Sequence, residues 1–119
     1  MNINKEIDRL NFEDLLLFVF IILCILNIKG DNLEKEYLIY NDSNKKILSN
    51  NIFKFTIYIS FFIYLYYFFR NYNDYNNISF DKKSLYSVRF FSSVCFIVGT
   101  LCLIYFVNRD SDLIGTFEI

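Results

Sequence analysis

Residues 54–70 read KFTIYISFFIYLYYFFR: two cations, Lys54 and Arg70, enclose fifteen uncharged residues, nine of them aromatic. Such a stretch is either the interior of a soluble domain or a segment whose solvent is lipid. Two further uncharged runs bear on the choice, residues 15–28 (LLLFVFIILCILNI) and 90–108 (FFSSVCFIVGTLCLIYFVN), of 14 and 19 residues. A helix needs about 20 apolar residues to cross a bilayer, within a range of about 17–25. The third run meets this alone. The second meets it when Ile52 and Phe53 are included and Lys54 snorkels to the headgroups. The first reaches 17 residues by placing Glu13 and Asp14 at the headgroup boundary.

Strands are a poor alternative. Phe, Tyr and Ile favour sheets, but strands run about 3–10 residues, and none of these runs alternates polar with apolar. With no Pro and three Gly in 119 residues, the chain lacks the turns a sheet needs. A transmembrane barrel takes at least about eight strands. A soluble helical core would put polar residues on an outer face every three or four positions; here charge is missing for a whole run, three times over. The flanks agree. Tyr58, Tyr66, Tyr67 and Tyr105 stand near run ends, where tyrosines form the interfacial belt, and Lys29, Lys54, Arg70, Arg89 and Arg109 bracket the runs. The expected fold class is all-α: a helical membrane protein with three transmembrane helices, spanning about residues 12–29, 52–70 and 89–108, with helical extensions beyond the bilayer. A cleaved signal peptide is disfavoured, because Glu6, Asp8, Glu13 and Asp14 make the leading segment net negative and no small-residue cleavage site follows the run.

Composition bounds the rest. The chain is 55% hydrophobic yet 21% charged, with a formal net charge of −1 and no His. A charge near zero leaves no electrostatic footprint for nucleic acid. Cys24, Cys95 and Cys102 lie inside apolar runs, which argues for reduced, small packing residues over disulfides. Without His or a C-x-x-C pair, no metal site is expected. No nucleophile–base pair or phosphate-binding loop occurs, so no cofactor and no enzymatic activity are expected. The heavy use of Asn, Ile, Lys, Phe and Tyr is what an AT-rich genome imposes.

The connectors at 30–51 and 71–88 are polar, and an acidic tail fills 109–119. The absence of Pro lets the first helix continue to about Tyr40 despite Gly30. Asn41-Asp42-Ser43-Asn44 is the turn signal, with Asp42 or Ser43 the N-cap of the next helix. Ser79 or Asp81 would cap the third. With three spans, Lys5, Arg9, Arg70, Lys82, Lys83 and Arg89 share one side of the membrane, against Lys29, Lys35, Lys45, Lys46, Lys54 and Arg109 on the other. The rule that places Lys and Arg inside therefore ties at six to six. The short connector at 70–89, basic at both ends, leans toward an inside N-terminus.

Two constellations lie within the spans. On the second helix Thr56, Ser60, Tyr64, Tyr67 and Asn71 recur at helical spacing and share a face. On the third, Ser92, Cys95, Gly99 and Cys102 form a stripe of small residues, the kind that lets helices approach closely in lipid. On the first, Cys24, Asn27 and Asp31 continue the polar pattern. Either the tyrosine-bearing stripe packs on the small-residue stripe within one bundle, or several copies line a polar path.

The segments FEDLLLFVFIILCILNIKGDNLEKEYL and VGTLCLIYF, with the Asn-rich connector between the second and third runs, resemble small three-span integral membrane proteins of low-GC Gram-positive bacteria. That group has no established activity, so the resemblance implies location and architecture. The expected protein is a multi-pass component of the cell membrane. Its expected role is an accessory, regulatory or immunity-type interaction subunit whose partners are the lipid bilayer and another membrane protein or a second copy of itself. The alternative is a holin-like pore-forming or transport oligomer.

Overall fold

The chain offers a helix few places to stop, and among the described residues it stops at two. In the computed structural model, which describes residues 3–109, α1 runs Ile3–Tyr40, α2 runs Ser43–Asn77 and α3 runs Lys83–Arg109, the last led in by a 3-10 turn at Phe80–Lys82. At 1.5 Å per residue the 38 residues of α1 and 35 of α2 are about 57 Å and about 52 Å long. A bilayer's hydrocarbon core is about 30 Å thick, so both helices carry turns well beyond it. The polar connectors are thus largely helical. The acidic tail lies outside the described residues.

The first stop is made by Asn41, whose φ of 56° is left-handed. Asn tolerates that region better than other side chains, and its N–H donates to Tyr37 O at 2.7 Å. Asp42 then starts α2. Its carbonyl accepts from Lys45 N at 3.1 Å, and its Oδ1 accepts from Asn44 N at 3.0 Å, a side-chain N-cap. At the second stop Ser79 precedes the 3-10 turn in extended conformation without a side-chain cap bond. Here Lys83 closes the junction: its Nζ donates to Tyr75 O at 2.9 Å and sits 4.7 Å from the Tyr75 ring centre. A cation satisfies the last carbonyls of α2.

The distribution of polarity is inverted relative to a soluble domain. Among the described residues the buried hydrophobics are Leu23, Phe53, Ile57, Ile63 and Val107, while Glu13, Glu34, Ser49, Thr56, Ser60, Asn71, Ser93 and Thr100 are buried polar groups. Meanwhile Leu15, Phe18, Ile21, Ile25, Phe62, Phe69, Phe91, Phe96 and Leu101 stand exposed. Water would penalise that much contiguous apolar surface; lipid does not. All three helices are long and apolar enough to cross a membrane.

The chain divides into two compact units, one reaching to Thr56 and one starting at Ile57. In the first, α1 and the opening turns of α2 form an antiparallel hairpin. Its contacts descend in order: Lys46 Nζ to Glu34 Oε1 at 2.8 Å, Ser49 Oγ to Gly30 O at 3.0 Å, and Thr56 Oγ1 to Asn27 Oδ1 at 3.2 Å. In the second, the remainder of α2 and α3 form another antiparallel hairpin. Asn71 pairs with Ser93, Tyr64 stacks on Phe96 at 5.2 Å between centroids, and Ile57 packs with Val107.

Candidate functional site

The second hairpin leaves a groove between α2 and α3. One wall is Ile57, Ser60 and Tyr64 of α2; the other runs from Cys95 to Phe106 of α3, and the half-open groove has a volume of about 760 Å³. Its shape follows from which α3 residues meet α2. Ser93, Thr100 and Val107 are the buried positions of α3, spaced seven apart, and they form the seam. Ser92, Cys95, Gly99 and Cys102 lie beside that seam and are exposed. A Cβ built on Gly99 meets nothing within 4 Å. The small-residue stripe is therefore an open surface, and Cys95, Gly99 and Cys102 form part of the groove wall.

The polar stripe of α2 is divided among different environments. Thr56 belongs to the first hairpin, where its hydroxyl donates to Asn27 Oδ1 or to Phe53 O at 2.9 Å. Asn71 closes the far end of the second hairpin: its Nδ2 donates to Ser93 Oγ and faces Arg89 O at 3.4 Å, and its Oδ1 accepts from Arg70 at 2.9 Å. Tyr67 is half-buried beneath the Arg70 guanidinium, 4.7 Å from its ring centre, and packs edge-on against Tyr66. Tyr64 is half-buried and meets α3 through the ring of Phe96, the two planes 20° apart. That leaves Ser60 in the groove.

Ser60 is 3% exposed and lines the groove. Hydroxyls within helices usually donate to a carbonyl one turn back. Ser93 and Thr100 do so, to Arg89 O and Phe96 O. Ser49 and Thr56 have the partners given above. Among the described buried residues that carry a hydroxyl, Ser60 alone makes no hydrogen bond within the chain, and its oxygen opens onto the groove. An acyl chain lying in the groove would offer that hydroxyl no acceptor.

On α1, Asn27 is held by its own Nδ2 to Leu23 O at 3.1 Å and accepts from Thr56. Cys24 is exposed and Asp31 half-buried. The cysteines, expected as packing residues, are all exposed free thiols, because they lie off the two hairpin seams. Glu13 is buried with Arg9 Nε 3.7 Å away, and Asp14 is exposed. Among the described residues no cluster of His, Cys, Asp and Glu could hold a metal ion. The groove is lined by small and apolar residues, with the hydroxyls of Ser60 and Tyr64 and the free thiols of Cys95 and Cys102 among them. No family model matches the chain, and no curated protein or solved structure does.

Proposed function

We propose that the protein is a small interaction subunit of the cell membrane, accessory, regulatory or immunity-type, that acts by docking a membrane-spanning helix in the groove of its second hairpin and performs no catalysis. The observation that supports this is Ser60: a hydroxyl that makes no bond within the chain and opens onto the groove, beside an uncovered stripe of small residues. In hydrocarbon such a donor is satisfied by another helix, and small residues let that helix come close. A holin-like pore is the second reading, favoured by the hydroxyls of Ser60, Tyr64 and Thr100 along one groove. Water accessibility distinguishes the two. With Cys24, Cys95 and Cys102 replaced by Ser, single cysteines at positions 60 and 64 should react slowly with a water-soluble maleimide in membranes, and Tyr64→Phe with Tyr67→Phe should leave ion and dye leakage unchanged. Fast labelling at both positions, with leakage on overexpression, would favour the pore.

A further inference from the structure

We infer that the helix docked in the groove is α3 of a second copy of this chain inserted in the opposite orientation, so that the protein forms an inverted homodimer. This rests on the docking reading above and names its occupant.

Two independent observations lead there. The first concerns orientation. The twelve Lys and Arg residues divide evenly between the two sides that three alternating spans define, and it is the Lys/Arg bias that fixes how a small membrane protein inserts. Ion pairs do not restore a bias, since they occur on both sides: Lys46 with Glu34 and Lys45 with Glu36 on one, Arg9 with Glu6 and Arg89 with Asp74 on the other. With the count tied, the short basic connector at 70–89 leaves only a weak lean toward an inside N-terminus, too little to exclude the opposite insertion, and each membrane then contains copies with α3 running in either direction.

The second concerns fit. Gly99 lies midway between Arg89 and Arg109, ten residues from each. An inverted α3 that crosses at Gly99 therefore presents its two cations at the same two headgroup depths as the α3 it meets, and no charge enters the hydrocarbon. Ser60 faces this crossing from the opposite wall of the groove. The small side chains of Cys95 and Gly99 on the incoming helix leave its backbone carbonyls uncovered, which gives the Ser60 hydroxyl an acceptor that an acyl chain lacks. The contact is self-complementary: each copy offers the same groove and the same helix, as a two-fold axis in the membrane plane requires.

Native cysteines report the geometry. In an antiparallel crossing at Gly99, Cys95 of one copy meets Cys102 of the other; in a parallel crossing, like meets like. Two full-length chains with different tags, both carrying Cys24→Ser, are co-expressed, one with Cys102→Ser and the other with Cys95→Ser. Membranes are oxidised with copper phenanthroline. The expected result is a disulfide dimer carrying both tags, severalfold above either single-tag dimer, together with N-terminal reporters that read both sides of the membrane. Adding Asn73→Lys and Asn76→Lys should move the reporters to one side and lower the mixed dimer severalfold. Single-tag dimers in excess, or reporters confined to one side in the unaltered chain, would overturn the inversion. Absence of dimer while Cys95 and Cys102 stay protected from a membrane-permeant maleimide would place another protein's helix in the groove; this overturns the homodimer and leaves the docking reading standing. Absence of dimer with rapid labelling at both positions would overturn both.

Discussion

A Cβ built on Gly30 lies 2.9 Å from Cε1 of Phe53, a residue that is 1% exposed. Gly30 packs directly against Phe53 and Ile52 of α2, and Ser49 ties the two helices there by donating to the Gly30 carbonyl. Replacing it with Ala gains about 1 kcal/mol of helix propensity but pushes a packed aromatic ring. Overpacking of this kind costs about 1–3 kcal/mol, so Gly30→Ala should lower the thermal stability of the detergent-solubilised protein and Gly30→Leu should lower it further. Gly99→Ala meets open space and should leave the stability of the single chain unchanged or slightly raised.

Glu34 and Lys46 form a short ion pair in the first hairpin, 2.8 Å apart, with side chains only 6% and 14% exposed. Removing one partner of a buried pair strands the other. Glu34→Gln should therefore destabilise by on the order of 3 kcal/mol, whereas Glu34→Leu combined with Lys46→Met should recover most of the loss. Denaturant titration of the two variants in one detergent measures the difference. Equal loss in both would show that the pair acts through its charge and not through the burial of an unpaired one.

The buried hydroxyls make a graded series. Thr56→Val removes one bond to Asn27 and should cost about 0.6 kcal/mol, the average for an interhelical bond between membrane helices. Asn71→Ala loses Ser93 and the Arg89 carbonyl together and should cost about 1–2 kcal/mol. Ser60→Ala removes a hydroxyl without a partner in the chain, so the folding of the isolated chain should not change, while its association in the membrane weakens. Unfolding in detergent and self-association in membranes, measured on the same three variants, read these effects separately.

Much of the architecture was legible in the sequence because lipid imposes a simple rule: where charge disappears for a whole run, a helix follows. The same reading found the turn, since Asn41 and Asp42 are the residue types that a left-handed C-terminal position and an N-cap demand. Side-chain placement was less legible. Ser92, Cys95, Gly99 and Cys102 share a face by spacing, but so do Ser93, Thr100 and Val107, and only the docking of α2 shows which set is the seam. On a helix apolar all around, periodicity has no polar face to refer to, and the two stripes are equivalent until a neighbour is in place. Gly30 was legible as a weak point of α1; that Phe53 fills the space above it needed the tertiary contact. The absence of a partner for Ser60 belongs to coordinates alone.

The central claim is that the solvent of the run at 55–69 is lipid, so that the two ends of α2 lie on opposite sides of a membrane. In a chain with Cys24, Cys95 and Cys102 replaced by Ser, cysteines are introduced at the exposed positions Asn44 and Asn76, near the two ends of α2. Intact cells or sealed vesicles are then treated with a membrane-impermeant maleimide large enough to shift the band on a gel. Whichever way each molecule is inserted, it should take one tag while the membrane is intact and two after detergent is added. Two tags on intact membranes would mean that α2 does not cross, and would contradict the account.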